Sequence, residues 1–225
     1  MAKLNEKDFI EIEYTGIIKE DNVVFDTTDE NLAKEEGIYS SRMIYGPVTI
    51  CIGEGHVLKG LDKELIGKET GKEYEIEVPC EDAFGKKQAS LLKLIPLNIF
   101  KRENIKPVPG LQIDIDGFRG IVKNVSGGRV IVDFNHPLAG KDLVYKVKII
   151  REVTDDNEKI SSLMQLMFNI KKDDVKVTID NDKKAVIEIN KRIGANDKFV
   201  SNLKERIQKL VDIKDLELKV EEPKV

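Results

Sequence analysis

Thiol and imidazole chemistry in this sequence is confined to two cysteines, Cys51 and Cys80, and two histidines, His56 and His136. Each cysteine sits in an apolar segment that reads as a strand, and neither belongs to a Cys-x-x-Cys or Cys/His ligand spacing. Both are expected to be buried free thiols, and the two histidines read as loop residues. No metal and no cofactor is expected. Taken alone, Phe25, Val57, Leu61 and Tyr145 are core positions, and Asp26, ahead of Thr27-Thr28, is a turn residue at a strand end.

The elements around these residues follow from hydrophobic periodicity. Ile10, Ile12 and Tyr14 alternate, as a half-buried strand requires, and Gly16 to Phe25 continues extended. After a polar, Glu-rich excursion over 27–41, Val48 to Ile52 is a third strand, broken by Gly53-Glu54-Gly55. Val57, Leu58, Leu61, Leu65 and Ile66 fall on the stripe of a short amphipathic helix that Gly67 ends. Tyr74, Ile76 and Val78 alternate in a further strand. An antiparallel sheet wrapped around one helix uses all of these faces.

The texture changes over 88–132, where short apolar runs are split by Pro96, Pro107, Pro109-Gly110, Asp116-Gly117 and Ser126-Gly127-Gly128. Leu111 to Ile115, Phe118 to Val125 and Arg129 to Asp133 read as three strands of a small all-β unit. Leu143, Tyr145, Val147 and Ile149 then resume the alternation, as if closing the sheet opened before the insertion. Beyond the polar linker Thr154 to Glu158 the order is α-β-β-α-β, with Phe199, Leu203, Ile207 and Leu210 as one helical stripe and Leu216, Leu218 and Val220 as a last strand. This segment is expected to have its own core. Its run Leu163-Met164-Gln165-Leu166-Met167-Phe168 is apolar on more than one helical face, suited to a homodimer contact, to clients or to a small core.

A net charge of −4, with lysine far commoner than arginine, argues against a nucleic-acid surface. No apolar run approaches the roughly 20 residues that span a bilayer, and the N-terminus lacks a signal-peptide core. The expectation is a cytoplasmic protein with neither membrane nor nucleic acid as partner.

Three stretches, in order, resemble the FKBP family. They are Tyr14-Thr15-Gly16 followed by Val24-Phe25-Asp26-Thr27-Thr28, then Ile52-Gly53-Glu54-Gly55-His56-Val57-Leu58-Lys59-Gly60-Leu61, then Val78-Pro79-Cys80-Glu81-Asp82-Ala83-Phe84-Gly85. A fourth, Asn135-His136-Pro137-Leu138-Ala139-Gly140-Lys141-Asp142-Leu143, is similar to the SlyD-type branch, whose members carry a chaperone module in the flap loop of the isomerase barrel.

The resemblance implies an α+β fold: an FKBP-like antiparallel half-barrel around a short helix (1–87 and 133–153), an inserted β-rich domain (88–132) and a separate C-terminal α-β-β-α-β domain (154–225). It implies a peptidyl-prolyl cis/trans isomerase with chaperone activity on unfolded or proline-containing polypeptides. Tyr14, Phe25, Asp26, Phe84, Tyr145 and the backbone N–H of Leu58 are implied in catalysis, and Val48, Val57, Leu61 and His136 in the substrate pocket. Leu94, Ile95, Leu97, Ile99, Phe100, Ile113, Phe118 and Val122 are implied in client binding. Leu61 stands where many members have Trp, Phe84 where many have Tyr, and Val48 is smaller than the usual Phe. These departures leave open a holdase with a weak or vestigial pocket. The metal-binding tail of some SlyD proteins is absent, with only two histidines in the chain.

Overall fold

The computed structural model describes residues 3–115, 117–189 and 197–220, of which 197–199 and 220 are described by their backbone alone. Asp116 and the Phe199 and Val220 side chains, all named in the expectations above, lie outside the described residues. The chain forms two compact units: one runs up to Val78 and resumes at Leu143, and the other is Pro79–Asp142.

The first stretch contains β1 (Phe9–Ile18), β2 (Val23–Thr27), α1 (Glu30–Glu35), β3 (Val48–Cys51), α2 (Lys59–Leu65) and β4 (Lys72–Val78). The second unit contains β5 (Leu92–Pro96), α3 (Leu97–Arg102), β6 (Gln112–Ile115), β7 (Phe118–Ser126) and β8 (Arg129–Asp133). The chain continues with β9 (Leu143–Glu152), α4 (Asp156–Phe168), β10 (Val175–Ile179), β11 (Lys184–Ile189), α5 (Asp197–Leu210) and β12 (Asp215–Val220). The fold is mixed α+β, built largely on antiparallel sheets.

Strand β1 organises the first unit. It pairs with β9 along most of its length, with β3 through Phe9 to Ile12, and with β2 through Thr15 to Ile18, all antiparallel; β4 adds to the far side of β9. Ile10, Ile12, Ile50, Ile76, Leu61 and Leu65 are buried, as the alternation and the helical stripe require. The helix α2 is shorter than its apolar pattern. Val57 precedes it, Leu58 is its N-cap, and Ile66, 48% exposed, lies past its end. Helix α1 arises inside the expected polar excursion because the Asp29 carboxylate accepts from the Asn31 and Leu32 N–H groups and Ala33 is buried.

The segment beyond Val153 does form α-β-β-α-β, with β10 and β11 antiparallel and β11 and β12 parallel. It does not keep a core to itself. Phe9, Cys51 and Val153 join Ile160, Leu163, Met164, Ile187 and Leu203 in one buried cluster, because Phe9 and Cys51 alternate away from Ile10 and Ile50.

The second unit is a four-stranded antiparallel sheet in the order β5-β8-β7-β6. It is less purely β than expected. The run after Gln88 supplies β5 and then α3, which starts directly after Pro96 and buries Phe100. Its neck is closed by Asn135, whose side chain accepts from the Gln88 N–H at 2.8 Å and donates to the Gln88 carbonyl at 3.1 Å.

Candidate active site

Four of the expected site residues meet where β1 lies between β2 and β9. The register sets Gly16 opposite both Asp26 and Tyr145. The Tyr14 hydroxyl donates to the Asp26 carboxylate at 3.1 Å. The Tyr145 ring packs against Tyr14 (centroids 5.9 Å apart, planes at 59°) and edge-on against Phe25 (5.9 Å, 87°). Threonines fix this corner. Thr28 Oγ1 accepts from the Tyr14 N–H at 3.0 Å, and the buried Thr27 hydroxyl lies 3.0 Å from that of Thr15.

Burial dominates the electrostatics. It raises the Asp26 carboxyl above its ordinary range, against the hydrogen bonds from Tyr14 and the Thr27 backbone that favour the anion. It likewise pushes both phenols up, with the Asp26 charge adding to the effect, so Tyr14 and Tyr145 stay protonated. The corner is aromatic, carries one carboxylate, and holds no nucleophile.

Val48 is half-buried at the start of β3, and Leu61 is 1% exposed on α2. Val57 and Leu58 close the turn between them, which two side chains hold. Asp62, 7% exposed, accepts from the Gly53 and Gly55 N–H groups at 2.9 and 3.1 Å. His56 Nδ1 accepts from the Cys51 N–H at 3.0 Å. Among the described residues no acceptor takes the Leu58 N–H, which as the N-cap donor lies outside the helical ladder. A hollow of about 740 Å³ borders this corner, lined by Tyr14, Thr15 and Thr28 together with Tyr45, Tyr74 and the charged Glu13, Glu73, Glu75, Lys146 and Lys148.

A family model described as "FKBP26, IF domain" matches residues 93–138. A short-type peptidyl-prolyl cis-trans isomerase of Methanocaldococcus jannaschii is 32% identical over 146 residues, which cover 65% of this chain and 92% of the relative. FKBP-type peptidyl-prolyl cis-trans isomerases named SlyD are 30% identical in Helicobacter pylori, covering 58% of this chain and 68% of the relative, and 33% identical in Treponema pallidum, covering 53% and 71%. The chain belongs to the SlyD-like FKBP-type peptidyl-prolyl cis/trans isomerases.

The other expected residues of the isomerase lie in the second unit. Phe84 and His136 stack on each other there, centroids 4.2 Å apart and planes nearly parallel, and His136 Nδ1 accepts from the Leu138 N–H at 3.2 Å. The client-binding set divides. Phe100, Ile113 and Val122 are at most 8% exposed and, with Val130 and Val132, make the module's core; a surface role does not fit them in this conformation. Ile95 and Leu97 pack against that core, whereas Leu94, Ile99 and Phe118 are 54%, 47% and 70% exposed. Leu92, Ile105 and Val108, not singled out from sequence, are exposed as well.

Cys51 is buried, and burial together with nearby carboxylates pushes its thiol up to about 12, which leaves it inert. Cys80, expected buried, is only partly so, because it sits in a 3-10 turn and not a strand. One ligand atom each from Cys80, Glu81 and Asp142 lies within 4.8 Å of the others, but these groups already have protein partners. Lys86 pairs with Glu81 at 2.7 Å, and Asp142 accepts from the Cys80 N–H at 2.9 Å.

Proposed function

We propose that this isomerase binds prolyl segments of unfolded polypeptides at a pocket made by Tyr14, Phe25, Asp26, Val48, Val57, Leu58, Leu61 and Tyr145. Rotation about an X-Pro bond meets a barrier of about 20 kcal/mol because the twisted imide loses resonance. The reaction needs no bond broken and no proton moved. A dry aromatic site favours the twisted form, whose carbonyl is less polarised than the planar one, and a fixed N–H such as that of Leu58 orients the neighbouring carbonyl. Asp26 acts by holding Tyr14 and by its field, not as a base.

The observation that carries this reading is the half-buried Tyr14–Asp26 hydrogen bond with Tyr145 and Phe25 packed around it. Phe25→Ala should lower turnover of a prolyl tetrapeptide at least about ten-fold, since Phe25 gives substrate contact as well as packing, while the melting temperature falls only modestly. Unchanged turnover would remove Phe25 and the pocket with it.

The discontinuous isomerase domain is read as 1–87 and 133–153, the client-binding insert as 88–132 and the C-terminal domain as 154–225. The match of 93–138 to an IF-domain model supports the insert, and Leu94, Ile99 and Phe118, joined by Leu92, Ile105 and Val108, offer an apolar surface for varied sequences. The insert captures unfolded chains and raises their local concentration at the pocket. We place the protein in the cytoplasm, where a homodimer through the C-terminal segment would show as a concentration-dependent mass in sedimentation.

A further inference from the structure

The C-terminal segment touches both loops that carry substrate-pocket residues. Lys209 of α5 pairs with Glu54 at 2.9 Å, and the Glu54 side chain is only 18% exposed. Glu54 belongs to the turn that ends in Val57 and Leu58. The same turn, through Glu54, Gly55 and His56, shares a hollow of about 420 Å³ with Leu163, Met167 and Arg206 of α4 and α5. On the other side, Asn169 caps α4 in a left-handed conformation and its side-chain amide donates to the Arg42 carbonyl at 2.6 Å. Arg42 lies in the loop that leads into Val48. Lys172 adds a bond to Thr49 Oγ1, buried within β3, at 3.1 Å.

We propose that the C-terminal segment is a positioning element for prolyl isomerisation: Lys209 and Asn169 hold the 53–58 turn and the loop before β3, so that Val48, Val57 and Leu58 present a preformed substrate site. The inference rests on the pocket reading above. A loop braced from outside loses less freedom when substrate binds, and that saving appears in affinity more than in the chemical step. None of the bracing side chains is part of the proposed pocket. Their role is exerted through the backbone of the turn and the loop.

The test uses the full chain, a prolyl tetrapeptide and a protease-free exchange assay. Lys209→Ala and Asn169→Ala should each raise KM about three-fold with kcat unchanged, the scale of one partly exposed ion pair or hydrogen bond. Lys209→Arg should restore the wild-type KM, and so should the reversed pair Glu54→Lys with Lys209→Glu, which a general loss of packing would not allow. Phe25→Ala serves as the reference. If it loses turnover while Lys209→Ala and Asn169→Ala keep wild-type KM, the brace is refuted and the pocket stands. If Phe25→Ala keeps full turnover, the pocket fails and the brace falls with it. A drop in kcat and melting temperature that the reversed pair does not repair would also overturn the inference.

Discussion

Gly16 shows how closely the aromatic corner is fitted. A Cβ at this position would lie 2.7 Å from Phe25 Cζ and 3.1 Å from Tyr145 Cε1, so both rings pack on the bare backbone of β1. Gly16→Ala should therefore destabilise the chain by about 1–3 kcal/mol, read by denaturant unfolding, and lower tetrapeptide turnover as Phe25 is displaced. Tyr14→Phe probes the carboxylate instead. The variant leaves the half-buried Asp26 with one donor fewer, so its carboxyl, already raised, should titrate at still higher pH in a carbon-detected NMR titration. The sign for stability follows. An acid with a raised folded pKa binds its proton more tightly in the folded chain, so stability falls as pH rises between the unfolded and folded values, and Tyr14→Phe should widen that interval. Tyr14, Phe25, Asp26 and Tyr145 were named together from the family resemblance. Gly16 as their floor was not, because its neighbours are distant in sequence and meet only through strand register.

At the scale of elements, the turn between β3 and α2 carries its own titrating group. Burial lowers the His56 pKa, with Arg206 adding to the effect and Asp62 and Glu54 opposing it, so the folded chain holds His56 neutral and accepting from the Cys51 N–H. A base with a depressed folded pKa gives stability that is present above its unfolded value near 6.5 and lost as pH falls. The wild-type melting temperature should thus drop more steeply between about pH 7 and pH 5 than that of His56→Asn, which keeps an acceptor but does not titrate. Equal slopes would show that His56 is not the group responsible. The strands were legible because alternation is local. Two short helices were not: α1 lay in a Glu-rich stretch where only the Asp29 cap and Ala33 betray it, and α3 lay in an apolar run whose Pro96 reads equally as a strand end or a helix start.

For the molecule as a whole, the change of texture over 88–132 and the return of alternation at Leu143 are what the reading of an inserted unit rests on in the sequence. Which of its apolar residues face water could not be read that way. Phe100, Ile113 and Val122 look the same in sequence as Leu94, Ile99 and Phe118, and only the pairing of β5 to β8 and the seat of α3 separate core from surface. The shared cluster of Phe9 and Cys51 with the C-terminal helices was hidden for the same reason, since both residues also fit an isolated sheet. The central claim is a division of labour between pocket and module. Its most direct measurement is the rate of a proline-limited refolding reaction, tens to hundreds of seconds uncatalysed, with catalytic amounts of the full chain or of a variant in which a short linker replaces 88–132, beside the same pair of proteins on a prolyl tetrapeptide. The account predicts that the variant keeps nearly all tetrapeptide turnover and loses most of its acceleration of refolding; equal loss on both substrates, or undiminished refolding catalysis without the module, would contradict it.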